Sequence, residues 1–247
     1  METLQIESWA DLLKAAEHAT AAFKVNAWYR GHARADWKLQ SQLDRAEKRR
    51  NERSLLGQFM HRAPAVYARC PRPNDHAEWL ALARHYGLPT RLLDWTESVL
   101  VAAFFAVSEF SSDNGAIWAL DPRALNTHQL CSPSVTALFA DEPGQIAHAA
   151  FGLPAPEHVR HKIAAAWAPR CDARMAMQHA GYTIHGCSTA LEELAAEARP
   201  TWLLRYAVPA GAKASIKHAL EQMRVDSAGL FPDLEHLAAW LGGVSWT

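Results

Sequence analysis

The sequence predicts an α+β fold, with helices and strands interleaved irregularly around one sheet. Two observations carry that expectation. Short apolar runs of strand length, at residues 27–31, 90–95, 116–120, 182–185 and 202–208, are separated by helix-like stretches of unequal length. Their order shows no regular strand–helix–strand repeat, which argues against a doubly wound parallel sheet. With 247 residues, 49% of them apolar, there is material for one sizeable core. No internal repeat or low-complexity linker marks a boundary, so a single domain over residues 1–247 is expected.

The elements follow in order. Ser8 reads as an N-cap with Asp11 at the third helical position, which starts a helix over 8–22 with Trp9, Leu12, Leu13 and Ala16 on one face. Residues 27–31 form a short strand entering a polar turn. Residues 44–62 are charged and helical in character, with Leu55, Leu56 and Phe59 towards a core. Pro71 and Pro73 break the chain, and Asp75 then caps a helix over 76–86 that stops at Gly87 with Pro89 just beyond. A strand over 90–95 leads to Ser98, the cap of a helix over 99–110. That helix is apolar nearly all round, so it should be buried on the 90–95 strand, with Ala102, Ala103 and Ala106 permitting close approach and Phe104 and Phe105 in the core. Asp113-Asn114-Gly115 is a turn before the strand 116–120. Residues 125–169 are the least regular. Two Pro-containing stretches and an Ala-rich helix over 157–167 read as an insertion over the core. Strands at 182–185 and 202–208 and helices at 214–223 and 233–241 complete the chain.

Composition excludes some classes of function. With 25 basic and 26 acidic side chains, no global charge steers the protein to nucleic acid or membrane. Residues 1–10 lack the layout of a signal peptide, and the longest apolar run, 99–107, is too short to span a bilayer. A cytoplasmic protein is expected. The four cysteines form no CxxC pair, which fits reduced thiols. The 13 histidines contain no HExxH or HxH, so no metal site is expected.

Four blocks carry candidate chemistry. In Trp28-Tyr29-Arg30-Gly31-His32, the guanidinium offers a planar fork for phosphate or carboxylate, and the glycine lets a ligand or a backbone come near. The alternative is a structural salt bridge beside a turn glycine. In the block from His85 to Thr96, Asp94 ends an apolar strand and needs a partner, with Arg30 and Arg91 as candidates. Arg30 and Asp94 are therefore expected on one cleft. Thr96 and Ser98 flank a helix N-terminus, where they suit anion binding or ordinary capping. In the block from Arg174 to Tyr182, Gln178 can fix a ligand by donating and accepting at once, or simply precede a helix end at Gly181. Leu230-Phe231-Pro232-Asp233-Leu234 reads as a structural helix start.

These blocks, in this order, resemble the FRG domain family. Tyr29-Arg30-Gly31 matches its aromatic-Arg-Gly motif, although Tyr stands where the family name has Phe. Trp37, Leu43 and Arg45 follow, and the stretch from His85 to Ala106 matches a histidine-tyrosine-glycine block and the apolar helix after it nearly throughout. Arg174, Gln178, Gly181 and Tyr182 match a later block, and Leu230 to Leu234 the last. The segment 125–169 matches nothing in the family pattern.

The layout is also similar to that of ADP-ribosyltransferases. This resemblance implies a split mixed or antiparallel sheet and NAD as a substrate. It implies that Arg30 holds the NAD phosphates, that Thr96 and Ser98 shape the nicotinamide pocket, and that Tyr86 or Trp95 stacks on nicotinamide. Tyr29, Gly31, His32, Arg91 and Asp94 would line the same site. Gln178 stands where those enzymes carry a late glutamate that polarises a ribose hydroxyl, and a glutamine carries no charge and cannot act as a base. Glu192 and Glu193 read as a solvated helix instead. The implied partners are a macromolecular target, protein or nucleic acid, and an antitoxin or other regulator, in keeping with a toxin or phage-defence effector. Two alternatives stand beside it. One is a non-catalytic nucleotide-binding or sensor module using the Arg30–Asp94 pocket. The other is a nucleic-acid-cleaving enzyme, for which Asp94, Asp233 and Glu235 are widely scattered.

Overall fold

The computed structural model describes residues 4–169, 177–178, 180–196, 198 and 201–243. It is an α+β structure built on one seven-stranded sheet. In chain order the strands are β1 (Trp28–His32), β2 (Leu92–Thr96), β3 (Gly115–Leu120), β4 (Thr136–Ala137), β5 (Ile163–Trp167), β6 (Ala180–His185) and β7 (Leu203–Val208). Their spatial order is β4-β5-β6-β2-β1-β3-β7, antiparallel throughout except for the parallel pair β4 and β5.

The sheet is split near its middle. β1 pairs along its whole length with β3, from Trp28 opposite Leu120 to His32 opposite Ala116. β2 pairs equally fully with β6. Between β1 and β2 the ladder consists of Tyr29 opposite Thr96 alone. One face of each half carries its own core. On the β1 side, helices Trp9–Phe23, Val99–Val107 and Ala210–Gln222 pack over Tyr29, Ile117 and Tyr206. On the β2 side, helices Glu52–Arg62, His76–His85 and Asp141–Ala150 pack over Leu92, Ala164 and Ile184. The opposite face is shared, and Trp28, Leu93, Trp95, Trp118 and Trp202 bury it across both halves.

Several expectations need correction. In the first helix the buried stripe is Leu12, Ala15 and Ala19, while Trp9 and Leu13 stay about half exposed. Asp11 does accept from the Ser8 hydroxyl at 2.7 Å and from its backbone N–H at 3.1 Å. The stretch 44–62 is interrupted, because Glu47 takes a left-handed backbone with φ 54° between helices Gln42–Arg45 and Glu52–Arg62. The Ala-rich stretch 157–167 is a short 3-10 turn, Glu157–His161, followed by the buried strand β5. Alanine favours helix in isolation, but packing on both faces overrides that preference. The 125–169 segment thus supplies part of the sheet. β4 is only two residues long, so helix Pro122–Leu130 completes the edge of β5. Asn126 exchanges hydrogen bonds with the backbone of Ala165, at 2.7 and 2.9 Å, and the Gln129 side chain accepts from Ile163 N–H at 3.2 Å.

Helix Val99–Val107 is buried through Val101, Ala102, Ala103, Ala106 and Val107. It lies on β1 rather than chiefly on β2. A Cβ on Gly31 would stand 1.9 Å from the Ala102 carbonyl oxygen. Glycine at this place therefore admits the helix backbone. Phe104 and Phe105 are half-buried rather than fully buried, with Phe104 packed at the edge of the core.

Candidate functional site

Where β1 and β2 part, a cleft of about 1150 Å³ opens between the two helical layers. Side-chain alternation assigns Arg30 to the face of Trp28 and His32. Because β2 has moved away beyond Tyr29, the guanidinium turns into the gap. Arg30 Nη1 donates to the Asp94 backbone carbonyl at 2.6 Å, a carbonyl with no partner strand on that side. Arg30 Nε donates to His32 Nε2 at 3.1 Å. The Asp94 carboxylate lies 3.7 Å from Nη1. Arg30 and Asp94, 64 positions apart, thus share one cleft as expected.

The main partner of Asp94 is a residue the sequence reading missed. Arg84, in the last turn of helix His76–His85, donates through Nε to both carboxylate oxygens at 3.0 and 3.2 Å and pairs through Nη2 as well. Its Nη1 bonds the Gln42 amide oxygen. The signal was its position directly before the His85-Tyr86-Gly87 motif. The Asp94 side chain remains 39% exposed, so the pair is open towards the cleft. Burial works to raise the Asp94 pKa, but the charge and hydrogen bonds of Arg84, with Arg30 behind it, lower it to about 2. Burial lowers Arg30 to about 10, with Arg84 and Arg45 adding to the effect and Asp94 opposing it. Asp94 raises the Arg84 pKa. His32 is buried beneath Arg30, and burial with the neighbouring guanidiniums holds it neutral, at about 2.

The other expected residues divide. Tyr29, Gly31, Tyr86, Trp95, Thr96 and Gln178 line the cleft with Arg30 and Asp94. Tyr86 is 56% exposed, whereas the Trp95 ring is buried and donates to Thr183 Oγ1 at 3.1 Å. Thr96 Oγ1 accepts from Ser98 N–H at 3.1 Å, and Ser98 Oγ accepts from Val101 N–H at 3.4 Å, so both hydroxyls cap the start of helix Val99–Val107. Ser98 and His32 do not line the cleft. Arg91 is also elsewhere. It is buried against Glu52, with Nε at 3.0 Å from both carboxylate oxygens and Nη1 on the Ile146 carbonyl at 3.1 Å. Glu192 accepts from Leu39 N–H and Glu193 pairs with Lys38, so neither faces the cleft.

The late blocks close the far side. Gln178 Nε2 donates to the Leu230 carbonyl at 3.1 Å. Phe231 packs edge-on to Phe105 and beside Phe104, and His236 stacks on it at 4.4 Å. Asp233 accepts from His236 N–H at 2.8 Å and caps the helix Leu234–Gly243, which begins one residue after the expected start. Arg174 lies outside the described residues. Among the described residues no group of three or more His, Cys, Asp or Glu side chains is placed to hold a metal ion. No helix among them is long and apolar enough to cross a membrane.

Comparison with known proteins agrees with the motif reading at the level of family. No curated protein matches the chain, and no solved structure matches it. A family model does match, over residues 25–115. That stretch runs from just before β1 to the first residue of β3 and contains Arg30, Arg84, Asp94 and Thr96. Gln178 and Phe231, on the far wall of the cleft, lie beyond it. The model is that of the FRG domain, so the similarity to that family is shown for residues 25–115.

Proposed function

We propose that the cleft binds NAD and that the protein is an ADP-ribosyltransferase-like enzyme. The observation that supports this most is the split of the sheet. It brings Arg30, Thr96 and Gln178, from three distant parts of the chain, onto one cleft of about 1150 Å³. On this reading Arg30 faces the diphosphate and exposed Tyr86 offers a ring to the nicotinamide. Transfer breaks the bond between nicotinamide and ribose, and the electron pair leaves with nicotinamide. A nucleophile of a macromolecular acceptor, protein or nucleic acid, then bonds the ribose carbon and gives up its proton. Such a modification suits a toxin or phage-defence effector held in check by a regulatory partner.

Gln178 favours a second reading, a non-catalytic nucleotide-binding module. Its amide is already engaged with the Leu230 carbonyl and has no charge to offer a ribose hydroxyl. Incubation with NAD, followed by mass spectrometry of released nicotinamide, separates the two. Slow release by the wild type that rises in Gln178→Glu supports the enzyme. Binding of NAD without release from either protein supports the module. Absence of NAD binding removes both.

A further inference from the structure

We propose that the cleft is a site for an oxyanion with at least two negative charges, held by Arg30 and Arg84 with exposed Arg45 reaching in from the rim. It rests on the same cleft as the reading above and names the groups that would hold a ligand's phosphates. Arg45, at the end of helix Gln42–Arg45, adds the group that the cleft geometry alone does not show.

Two guanidiniums face one carboxylate here, and a third lies beside the cleft. Arg84 and Arg30 both face Asp94. Arg45 lies with its guanidinium carbon 6.0 Å from the centre of the Trp37 ring, and Trp37 lines the cleft. Unlike the other two, the Arg45 guanidinium makes no hydrogen bond or ion pair among the described residues. Arg45 is exposed and does not itself line the cleft, but it lies beside Trp37, which does, and within reach of the same charges. Burial and Arg84 lower its pKa, and Asp94 is the charge that opposes them. Arg45 in turn acts on both Arg30 and His32.

Among the described residues no acid other than Asp94 forms an ion pair with this cluster. Asp44, next in sequence to Arg45, is committed to Arg49, at 2.6 and 2.7 Å. Asp233 is committed to His236. Glu109 and Glu235 line the cleft but are not among the charges acting on Arg30 or Arg45. Three positive charges against one negative leave two uncompensated, which is the charge of a phosphoryl dianion or a diphosphate. Guanidinium forks suit such oxygens, and an anion here relieves the mutual repulsion of the three arginines. Arg45 lies within cation–π range of the Trp37 ring, and its N–H groups have no acceptor among the described residues.

The test is calorimetric titration of the whole protein with sodium pyrophosphate and with sodium acetate at low salt, for the wild type, Arg45→Ala and Arg45→Lys. The wild type should bind pyrophosphate and not acetate, with affinity falling as salt rises. Arg45→Ala should bind roughly tenfold more weakly, with an unchanged melting temperature because Arg45 carries no structural ion pair, and Arg45→Lys should recover part of the loss. No pyrophosphate binding by the wild type, or equal binding by Arg45→Ala, overturns the proposal. The same proteins titrated with NAD keep the two readings apart. Pyrophosphate bound without NAD leaves the anion site and removes the NAD reading. NAD bound equally by wild type and Arg45→Ala overturns the anion site and leaves the NAD reading.

Discussion

Two ion pairs of similar composition have different roles here, and burial decides which is which. Arg91 and Glu52 are both buried, and the arginine also satisfies the Ile146 carbonyl. The pair joins helices Glu52–Arg62 and Asp141–Ala150 to the start of β2. Glu52→Ala would leave a guanidinium buried without its carboxylate. The expected cost is about 3–5 kcal/mol, read as a lower midpoint in urea unfolding. A change under about 1 kcal/mol would show that the site relaxes to admit water. Asp94, in contrast, keeps 39% of its side chain exposed. Its pKa is lowered to about 2, so its contribution is complete above the ordinary carboxylate value and is lost as pH falls towards 2. Arg84→Ala should therefore destabilise the protein less than Glu52→Ala does. It should also raise the Asp94 pKa, which carboxyl-carbon NMR against pH would record. An Asp94 pKa still near 2 in that variant would show that Arg30 alone sets it.

At the scale of elements, one helix sets the shape of the site. Val99–Val107 approaches β1 closely enough that Gly31 has no room for a side chain. Gly31→Ala places a methyl group into the Ala102 carbonyl, so it should cost about 3 kcal/mol or more by forcing the helix outward. Wild-type stability in that variant would mean that the contact is looser than described. Phe104 and Phe105 line the cleft and are only half-buried, with Phe104 also packed against the core, so Phe104→Ala should cost less than the roughly 3–5 kcal/mol of a fully buried ring. Much of this arrangement was legible in the sequence. Ser98, Gly87 and the Asp113-Asn114-Gly115 turn mark boundaries by local chemistry, and β1, β2, β3, β6 and β7 fall within two residues of their expected places. β5 was not legible, because Ala164, Ala165 and Ala166 read as helix and only long-range packing makes them strand. The pairing of Asp94 with Arg84 was hidden for a related reason. Arg30 and Arg91 were the expected partners, and only the packing of helix His76–His85 against β2 selects Arg84.

For the whole molecule, the two halves of the sheet share a face that encloses two neutral histidines. His185 is fully buried, bonded at Nε2 to Thr183 Oγ1 at 3.0 Å, and burial lowers its pKa to about 3. His32 behaves alike, at about 2. The unfolded chain takes up protons at both near pH 6.5, and the folded chain does not. Their contribution is thus complete above that value and is lost as pH falls, by roughly 1.4 kcal/mol per pH unit for each histidine. Urea unfolding at pH 7, 6 and 5 should show that decline, and a His185→Gln variant should show about half of it. A stability that is flat from pH 7 to 5 would contradict the burial of both rings.

The claim on which the functional account depends is that Arg30 binds the phosphates of a nucleotide in the split of the sheet. Its hydrogen bond to the Asp94 carbonyl also gives it a structural duty, so affinity and stability have to be read together. The most direct measurement is calorimetric titration of NAD into the wild type, Arg30→Ala and Arg30→Lys, with a melting temperature for each protein. The account predicts binding by the wild type, none by Arg30→Ala, and a large loss for Arg30→Lys, whose point charge cannot reproduce a two-pronged contact. The variants should remain folded at the temperature of titration. No NAD binding by the wild type, together with a much lower melting temperature for Arg30→Ala, would contradict it and leave Arg30 as a brace between the two halves of the sheet.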